Sequence, residues 1–521
     1  MRYWLTSLRR RQLSELAILA LILALAGYLR LANPDNPGWY SDEGTHIDIA
    51  QHAMHGRTQY LAISHSTLLF GRMPLLHWML AGALRLTGSA DSIAVLRGLT
   101  GSMGTLAVLL LYAAARRVSA GFALLAALML AIYPQAVLYN RFGFSYNLVA
   151  PLTVLALWGA WRYLDTGRRA WLALATLAVG VGVLCDLASL SLLAPLALVV
   201  PLRRRRDLLW SLPLAAAPFA LYALAMLLAA PGAFLFDLEY TLTRVGGTSL
   251  VEQLDTLTHN YTVLLSQDFW SLAGLVGLAV MRPARLGRLA LLMLALPVAI
   301  IGRTVALYSL SAYYTIPFMP LVALGAAGLV WRGFPYILRA AEDGLSALAG
   351  AWGFGQMRAA PAVAAALASL ALVGAPLLVT LRLKIDGVQT RLGTAIDPFL
   401  LDPTSARQAS DFVNAFARDD DVTIASPGIA WRLRGDVADF QMIVAYTGQP
   451  TPHLPGDIPP ERFVFTPSIE QARFVIIDNL WLTWGVVHVP GLDSIVHTVE
   501  AWPLAFEAGA IAVYRNPASP P

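Results

Sequence analysis

The sequence predicts a polytopic α-helical membrane protein with a small α/β domain after its last span. Three observations carry that reading. Of 521 residues, 57% are hydrophobic and 13% are charged, about half the charge of a soluble domain. Apolar runs able to cross a hydrocarbon layer of about 30 Å recur from Leu13 to about Val379. From about Ile385 charged and turn residues return, and apolar runs shorten to strand length. An ordinary soluble enzyme, a disordered chain and a fibrous protein are therefore excluded. The net charge of +5 does not indicate a nucleic-acid partner, because the arginines sit in short clusters between apolar runs. Only one of the 37 basic residues, Lys384, is a lysine, a usage that suggests a GC-rich bacterial genome. The single cysteine, Cys185, lies in an apolar run and reads as a small core hydrophobe. It provides neither an intrachain disulfide nor a thiolate metal site.

Eleven spans are expected, near 13–32, 94–115, 119–138, 147–164, 170–186, 188–202, 208–230, 269–281, 289–302, 313–331 and 360–380. A cytoplasmic N-terminus puts Arg9 to Arg11, Arg116-Arg117, Arg162/Arg168/Arg169, Arg203 to Arg206, Arg282/Arg285/Arg288 and Arg332/Arg339/Arg358 on inner loops. That distribution obeys the positive-inside rule, and an odd count then places the C-terminal domain outside. Ala24-Leu25-Ala26 mimics a signal-peptidase site but lies within the apolar run, so the first span is read as an uncleaved anchor. The division expected is 1–384 for the membrane module and 385–521 for the outer domain.

Two outer segments are longer than turns, 33–97 and 231–268. The first holds an amphipathic stretch through Ile47, Ile49, Ala50, Ala53 and Met54. A second apolar stretch, Met73–Leu86, is short for a span and reads as an interfacial helix. In the outer domain, Thr404 or Ser405 is expected to cap a helix with Phe412, Val413 and Phe416 on one face. Strands are expected at 422–425, 474–478 and 510–514. Trp481, Trp484 and Trp502 are read as packing residues rather than sugar platforms.

The sharpest chemical feature is Ser41-Asp42-Glu43 just outside the first span. In an ordinary loop such acids are simply solvated. Here they follow the aromatic stretch Pro34–Tyr40 and open the amphipathic segment. A carboxylate held at the membrane face suits removal of a proton from an acceptor hydroxyl, with an activated donor at headgroup level, such as a lipid-linked sugar.

With Gly56, with Phe70-Gly71-Arg72-Met73-Pro74-Leu75-Leu76-His77-Trp78 and with Val95-Leu96-Arg97-Gly98-Leu99, this segment resembles the first outer loop of GT-C glycosyltransferases. The branch it resembles most comprises protein O-mannosyltransferases and aminoarabinose transferases. Tyr139-Asn140-Arg141 to Asn147 is similar to the second outer loop of that class, and Tyr314-Thr315-Ile316-Pro317 resembles its late Tyr-x-x-Pro. The resemblance spans about 13–330. It implies a GT-C-like membrane fold and transfer from a polyprenyl-phosphate sugar, with inversion, to a hydroxyl of a protein, lipid or glycan. Asp42 then stands as base, with Glu43 supporting it or positioning the acceptor. Arg72 and Tyr314 stand as donor-phosphate ligands, with Arg303 and Arg141 ranked ahead of Arg57 and Arg244 as reserves. His46, Asn147 and His77 are assigned to the acceptor or sugar lining.

The chain also departs from that pattern. Asn147 stands where relatives often carry an aspartate, Thr45-His46 where many have Arg-Tyr, and Cys185-Asp186 where a lysine is common. His46, His52, His55, His65 and His77 crowd the first outer loop. They match no metal-ligand spacing, so no metal site is assigned, although a divalent ion among His46, His52, His55, Glu43 and Asp48 is conceivable. A secondary transporter is the main alternative, and a glycan- or peptide-binding receptor the next. Against the first, the spans are nearly free of charge and the acids crowd one face, whereas transporters place ionisable groups near the midplane.

Overall fold

The computed structural model describes residues 2–65, 72–88, 91–246, 249–305, 307, 309–351, 359–389 and 397–519. A long helix, α1 (Arg2–Leu31), leads through a loop to the two-residue strand β1 (Trp39–Tyr40) and then α2 (Ser41–Met54). Next come α3 (Pro74–Thr87), α4 (Ser92–Ala115), α5 (Ala120–Ile132), α6 (Pro134–Asn140), α7 (Tyr146–Thr166) and α8 (Arg169–Cys185). A 3-10 turn over Leu187–Leu192 leads to α9 (Leu193–Val199), followed by α10 (Leu208–Ala229), α11 (Pro231–Gly246), α12 (Leu250–Gln267), α13 (Phe269–Val280) and α14 (Ala284–Gly302). A 3-10 segment, Ser309–Phe318, precedes α15 (Met319–Ala351) and α16 (Ala359–Gln389).

The boundaries follow local chemistry. The Asp91 and Ser119 side chains accept from Ala94 N and Phe122 N and cap α4 and α5. Gly88 and Gly167, both left-handed, end α3 and α7. Phe70 and Gly71, part of the expected motif, lie outside the described residues.

Among the described residues six helices are long and apolar enough to cross a membrane: Gln12–Leu31, Ser92–Ala115, Arg205–Ala229, Ala284–Gly302, Ala312–Ala347 and Val363–Gly387. The number rises to eight if two bent helix pairs each make one span. Six to eight of the eleven expected spans meet that measure; those expected at 147–164, 170–186 and 188–202 do not. The run expected at 119–138 bends by 58° between α5 and α6, where Tyr133-Pro134 interrupts the ladder. Helix α8 has 17 residues, and 187–202 alternates between 3-10 and α turns. Helix α7 carries Asn147, Pro151, Arg162 and Asp165 and is less apolar than it first reads. The expected outer loop 231–268 is also corrected, since α11 and α12 occupy it.

Small residues bring the membrane helices close. A Cβ on Gly277 of α13 would meet the Gly325 carbonyl oxygen of α15 at 1.8 Å.

The C-terminal region forms a five-stranded mixed sheet in the order β4-β3-β5-β7-β6. Its members are β3 (Val422–Ile424), β4 (Asp436–Ala438), β5 (Ala472–Ile477), β6 (Leu504–Ala508) and β7 (Ile511–Arg515). β3 pairs in parallel with β4 and β5, whereas β7 runs antiparallel to both β5 and β6. The three expected strands are present; β4 and β6 are additional. The helix after residue 402, α17 (Pro403–Phe416), is capped by Asp402, whose carboxylate accepts from Ser405 N at 2.8 Å. Thr404 and Ser405 already lie inside the helix, so the expected cap moves upstream. It buries Ala406, Ala409 and Val413, while Phe416 remains 56% exposed.

This domain docks on the first outer segment and on α11. β1 pairs antiparallel with β2 (Leu400–Leu401). Gly44 of α2 lies against α18 (Pro427–Ala430), where a Cβ would meet the Pro427 carbonyl oxygen at 1.8 Å; no other residue fits. Arg462 forms a buried ion pair with Asp237 of α11 at 2.7 Å. Arg407 adds a two-pronged pair to Asp35 at 2.9 and 2.7 Å, with its guanidinium over the Trp39 ring.

Two buried carboxyls lie at this junction. Asp48 accepts from Leu61 N at 2.8 Å, and Asp439 accepts from Tyr60 Oη at 3.0 Å. Burial pushes Asp48 up to about 7 and Asp439 up to about 6. Burial, with Arg57 and His55 nearby, holds His52 down at about 4. Its 3.6 Å contact with Asp48 is therefore not an ion pair near neutral pH. Between about pH 4 and 7 folded Asp48 keeps a proton that the unfolded chain releases. Its contribution to stability thus falls as pH rises through about 7. Asp48→Asn removes that term. The stability of the variant relative to wild type should rise between pH 5 and pH 8, by on the order of 2 kcal/mol. Thermal unfolding of the two purified proteins at both pH values checks this; an offset independent of pH would contradict it.

Candidate active site

The site is built around the first turn of α2. Tyr40 N donates to Glu43 Oε2 at 2.9 Å, so Glu43 caps its own helix. Glu43 is completely buried. Its Oε1 also accepts from Gly143 N at 2.7 Å and from Arg97 Nε at 2.7 Å, while Arg97 Nη2 reaches Oε2. Arg97, on α4, further donates to the carbonyls of Pro34, Asn36 and Gly38. Both Glu43 oxygens are thus committed to holding the loop, α4 and the turn after α6 together. That geometry describes a positioning group without an approach for substrate.

Asp42 is different. Its side chain is 29% exposed, and Oδ1 accepts from Arg72 Nη2 at 2.8 Å. No contact engages its Oδ2 among the described residues. Arg72 Nη1 lies 3.2 Å from His46 Nε2, and His46 Nδ1 lies 2.9 Å from His77 Nε2. A guanidinium only donates, so His46 Nε2 must accept, and its proton resides on Nδ1, facing His77. His77 then accepts on Nε2 and carries its proton on Nδ1. Burial and the Arg72 charge hold His46 well below its ordinary value and His77 down at about 3, which keeps both rings neutral. The remaining donor of Arg72, Nε, is buried and unpartnered.

The Arg72 backbone bridges to Asp186, at the end of α8. The Asp186 carboxylate accepts from Ala188 N at 2.8 Å and from Ser145 Oγ at 3.1 Å. Aromatic rings close the other side. Tyr146 packs on Tyr314 and Tyr313 at centroid distances of 5.2 and 5.5 Å, and Phe144 on Tyr313 at 4.9 Å. Tyr314 lies within electrostatic reach of both Asp42 and Asp186.

The structure therefore brings Asp42, Arg72, His46, His77 and Tyr314 into one place. Other expected residues are elsewhere. Arg141 donates to the carbonyls of Leu29, Ala32, Asn33 and Asn36, a purely structural set. Asn147 is completely buried; it accepts from Asn140 at 2.5 Å and donates to the carbonyls of Tyr139 and Phe142. Arg303 is exposed at the end of α14, and Arg57 is exposed after α2. The Arg244 side chain lies outside the described residues. Asp186, Tyr146 and Arg97 have no site role in the sequence reading. The available signal for Asp186 is an acid closing an apolar run at its outer end.

A divalent ion does not fit this donor set. The acceptor nitrogens of His46 and His77 are already used, Glu43 is saturated, and Arg72 occupies one oxygen of Asp42. His52 and His55 line a separate cavity facing the C-terminal domain. Among the described residues no group of three or more His, Cys, Asp or Glu side chains is placed to hold a metal.

Residues 71–233 match the family described as dolichyl-phosphate-mannose-protein mannosyltransferase. No curated protein sequence matches the chain. Among solved structures, the fold is similar to that of ArnT from Cupriavidus metallidurans in the apo state, at 15% identity and a TM-score of 0.64, covering 98% of each chain. The same protein bound to undecaprenyl phosphate gives 15% and 0.58, covering 97% of this chain and 98% of that one. The archaeal oligosaccharyltransferase AglB from Archaeoglobus fulgidus, with an inhibitory peptide and a dolichol-phosphate, gives 16% and 0.52, covering 91% and 70%. These structures share the fold.

Glu43→Gln leaves Arg97 buried without its counter-charge and should cost about 3–5 kcal/mol. Asp42→Asn, at a partly exposed pair, should stay within about 1 kcal/mol. Thermal unfolding of both variants beside wild type separates the two roles; equal losses would refute the division.

Proposed function

We propose that this chain is a membrane glycosyltransferase of the GT-C class that takes its sugar from a polyprenyl-phosphate donor and transfers it, with inversion, to a hydroxyl acceptor on the outer face of a bacterial cytoplasmic membrane. The observation that carries the proposal is the Asp42–Arg72 pair, in which each partner keeps one uncommitted polar atom, Asp42 Oδ2 and Arg72 Nε. The first suits an acceptor hydroxyl and the second a phosphate oxygen. The solved relatives bound to undecaprenyl phosphate and to dolichol-phosphate support the donor class. The inhibitory peptide in the archaeal complex supports a protein among the hydroxyl acceptors. The arginine distribution supports an inside N-terminus and an outside C-terminal domain.

In the reaction the acceptor oxygen attacks the anomeric carbon and the bond from that carbon to the phosphate oxygen breaks. Asp42 takes the hydroxyl proton. Polyprenyl phosphate departs with the bonding pair, and its charge is received by Arg72, assisted by a hydroxyl of the Tyr146–Tyr314 pair. His46 accepts from the guanidinium and His77 accepts in turn from His46. The neutral pair thus holds Arg72 without adding a positive charge that would lower the basicity of Asp42.

Asp42→Asn should lower turnover by about 10²–10⁴-fold, while Arg72→Gln should raise the donor KM as well. The assay is release of polyprenyl phosphate from a panel of lipid-linked sugars in the presence of an acceptor-rich membrane extract. Full turnover in Asp42→Asn would move the base elsewhere, with Asp186 first in line. No donor consumption by the wild type would remove the proposal.

A further inference from the structure

At the end of the bundle opposite the Asp42 site, three loops that the arginine bias assigns to one membrane face converge on a cavity of about 320 Å³. Arg203 comes from the segment after α9, and Arg285 and Arg288 from the first turns of α14. Arg285 and Arg288 are spaced i,i+3 and so share a helix face. Leu164 of α7 and Leu289 and Leu292 of α14 form the apolar wall. The Arg203 guanidinium packs over Gly167, where a Cβ would come within 3.0 Å of it.

The charge in this cavity is not balanced from within. Arg285 makes a long contact with Asp165, at 3.8 Å, with the arginine side chain 73% exposed. Asp207, after Arg203 to Arg206 in the chain, is completely buried and already committed to Tyr163 at 2.8 Å, to Arg169 and to Trp210. Three guanidinia therefore face an opening whose described lining contains no acid. A soluble anion would satisfy the charge but not the leucines. A plain apolar tail would satisfy the leucines but not the charge. Helix α14 belongs to a membrane span, Ala284–Gly302, so the opening sits where headgroup meets hydrocarbon.

We propose that this cavity binds the phosphate of an anionic glycerophospholipid, with the guanidinia around the phosphate and an acyl chain against the leucine wall. Guanidinium matches phosphate with paired hydrogen bonds, and basic pockets between membrane helices on the cytoplasmic side select anionic headgroups. The site is separate from the transfer site, and the inference stands independently of the proposed donor.

The test is a binding titration on the full-length, delipidated protein in detergent, read by native mass spectrometry. The probes are phosphatidylglycerol, phosphatidylcholine with the same acyl chains, and inorganic phosphate as competitor. Phosphatidylglycerol should bind at least tenfold more tightly than phosphatidylcholine. The double variant Arg285→Gln/Arg288→Gln should weaken phosphatidylglycerol by roughly thirtyfold, whereas the distant surface variant Arg434→Gln should not. Equal binding of the two lipids, or an unchanged double variant, overturns the proposal. Full displacement of the lipid by millimolar inorganic phosphate also overturns it, in favour of a soluble anion.

Discussion

Arg97 and Glu43 meet in a volume closed to solvent, and the placement of α2 depends on that meeting. A buried charge pair is tolerated only when its remaining hydrogen-bonding capacity is satisfied. Here Glu43 takes two backbone donors besides the guanidinium, and Arg97 finds three backbone carbonyls. Each of those extra bonds belongs to a different part of the chain. The pair thus sets where the loop after α1 lies, where α2 starts and how the turn at Gly143 approaches. Arg30 and Arg141 extend the same device. Arg30 donates to the carbonyls of Leu130 and Ala131 and to Asn140, and Arg141 to carbonyls at the end of α1. Arg141, a phosphate-ligand candidate in the sequence, serves in the structure as a cross-brace among helix ends.

Helix α2 presents two faces with different duties. Asp42 and His46, one turn apart, look toward Arg72 and His77. Gly44, Asp48 and His52 look toward the C-terminal domain. The domain is therefore more than a cover. It presses on the back of the helix whose front carries Asp42, the proposed base, through the close approach of Gly44 to Pro427 and the pairing of β1 with β2. Rigid support of this kind is what a carboxylate needs to hold an acceptor hydroxyl within hydrogen-bonding reach.

Much of the architecture was legible in composition and periodicity: a helical membrane module, a mixed α/β tail, an amphipathic helix opened by acids. The span count was not, because apolar runs do not reveal where a Tyr-Pro step or a 3-10 turn breaks a helix. Within the site, Asp42, Arg72 and the two histidines could be picked out because polar groups stand out in an apolar loop. Glu43 could not be separated from Asp42, since adjacent carboxylates look alike until the helix puts one inward and one outward. Asn147 looked like a lining residue because an amide at a helix start is compatible with both roles; its three partners within the same turn decide for structure. Asp186 joins the site through a backbone bridge to Arg72 across more than a hundred residues and through Ser145, contacts that no local pattern records.

The pairing of Trp39-Tyr40 with Leu400-Leu401 joins segments about 360 residues apart. At ordinary translation speeds of about 5–20 residues per second, the second strand emerges tens of seconds after the first. During that interval α2 and Asp42 already exist on a nascent chain whose supporting strand and sheet do not. Support for the start of α2 is thus completed only once Leu400 and Leu401 have been made.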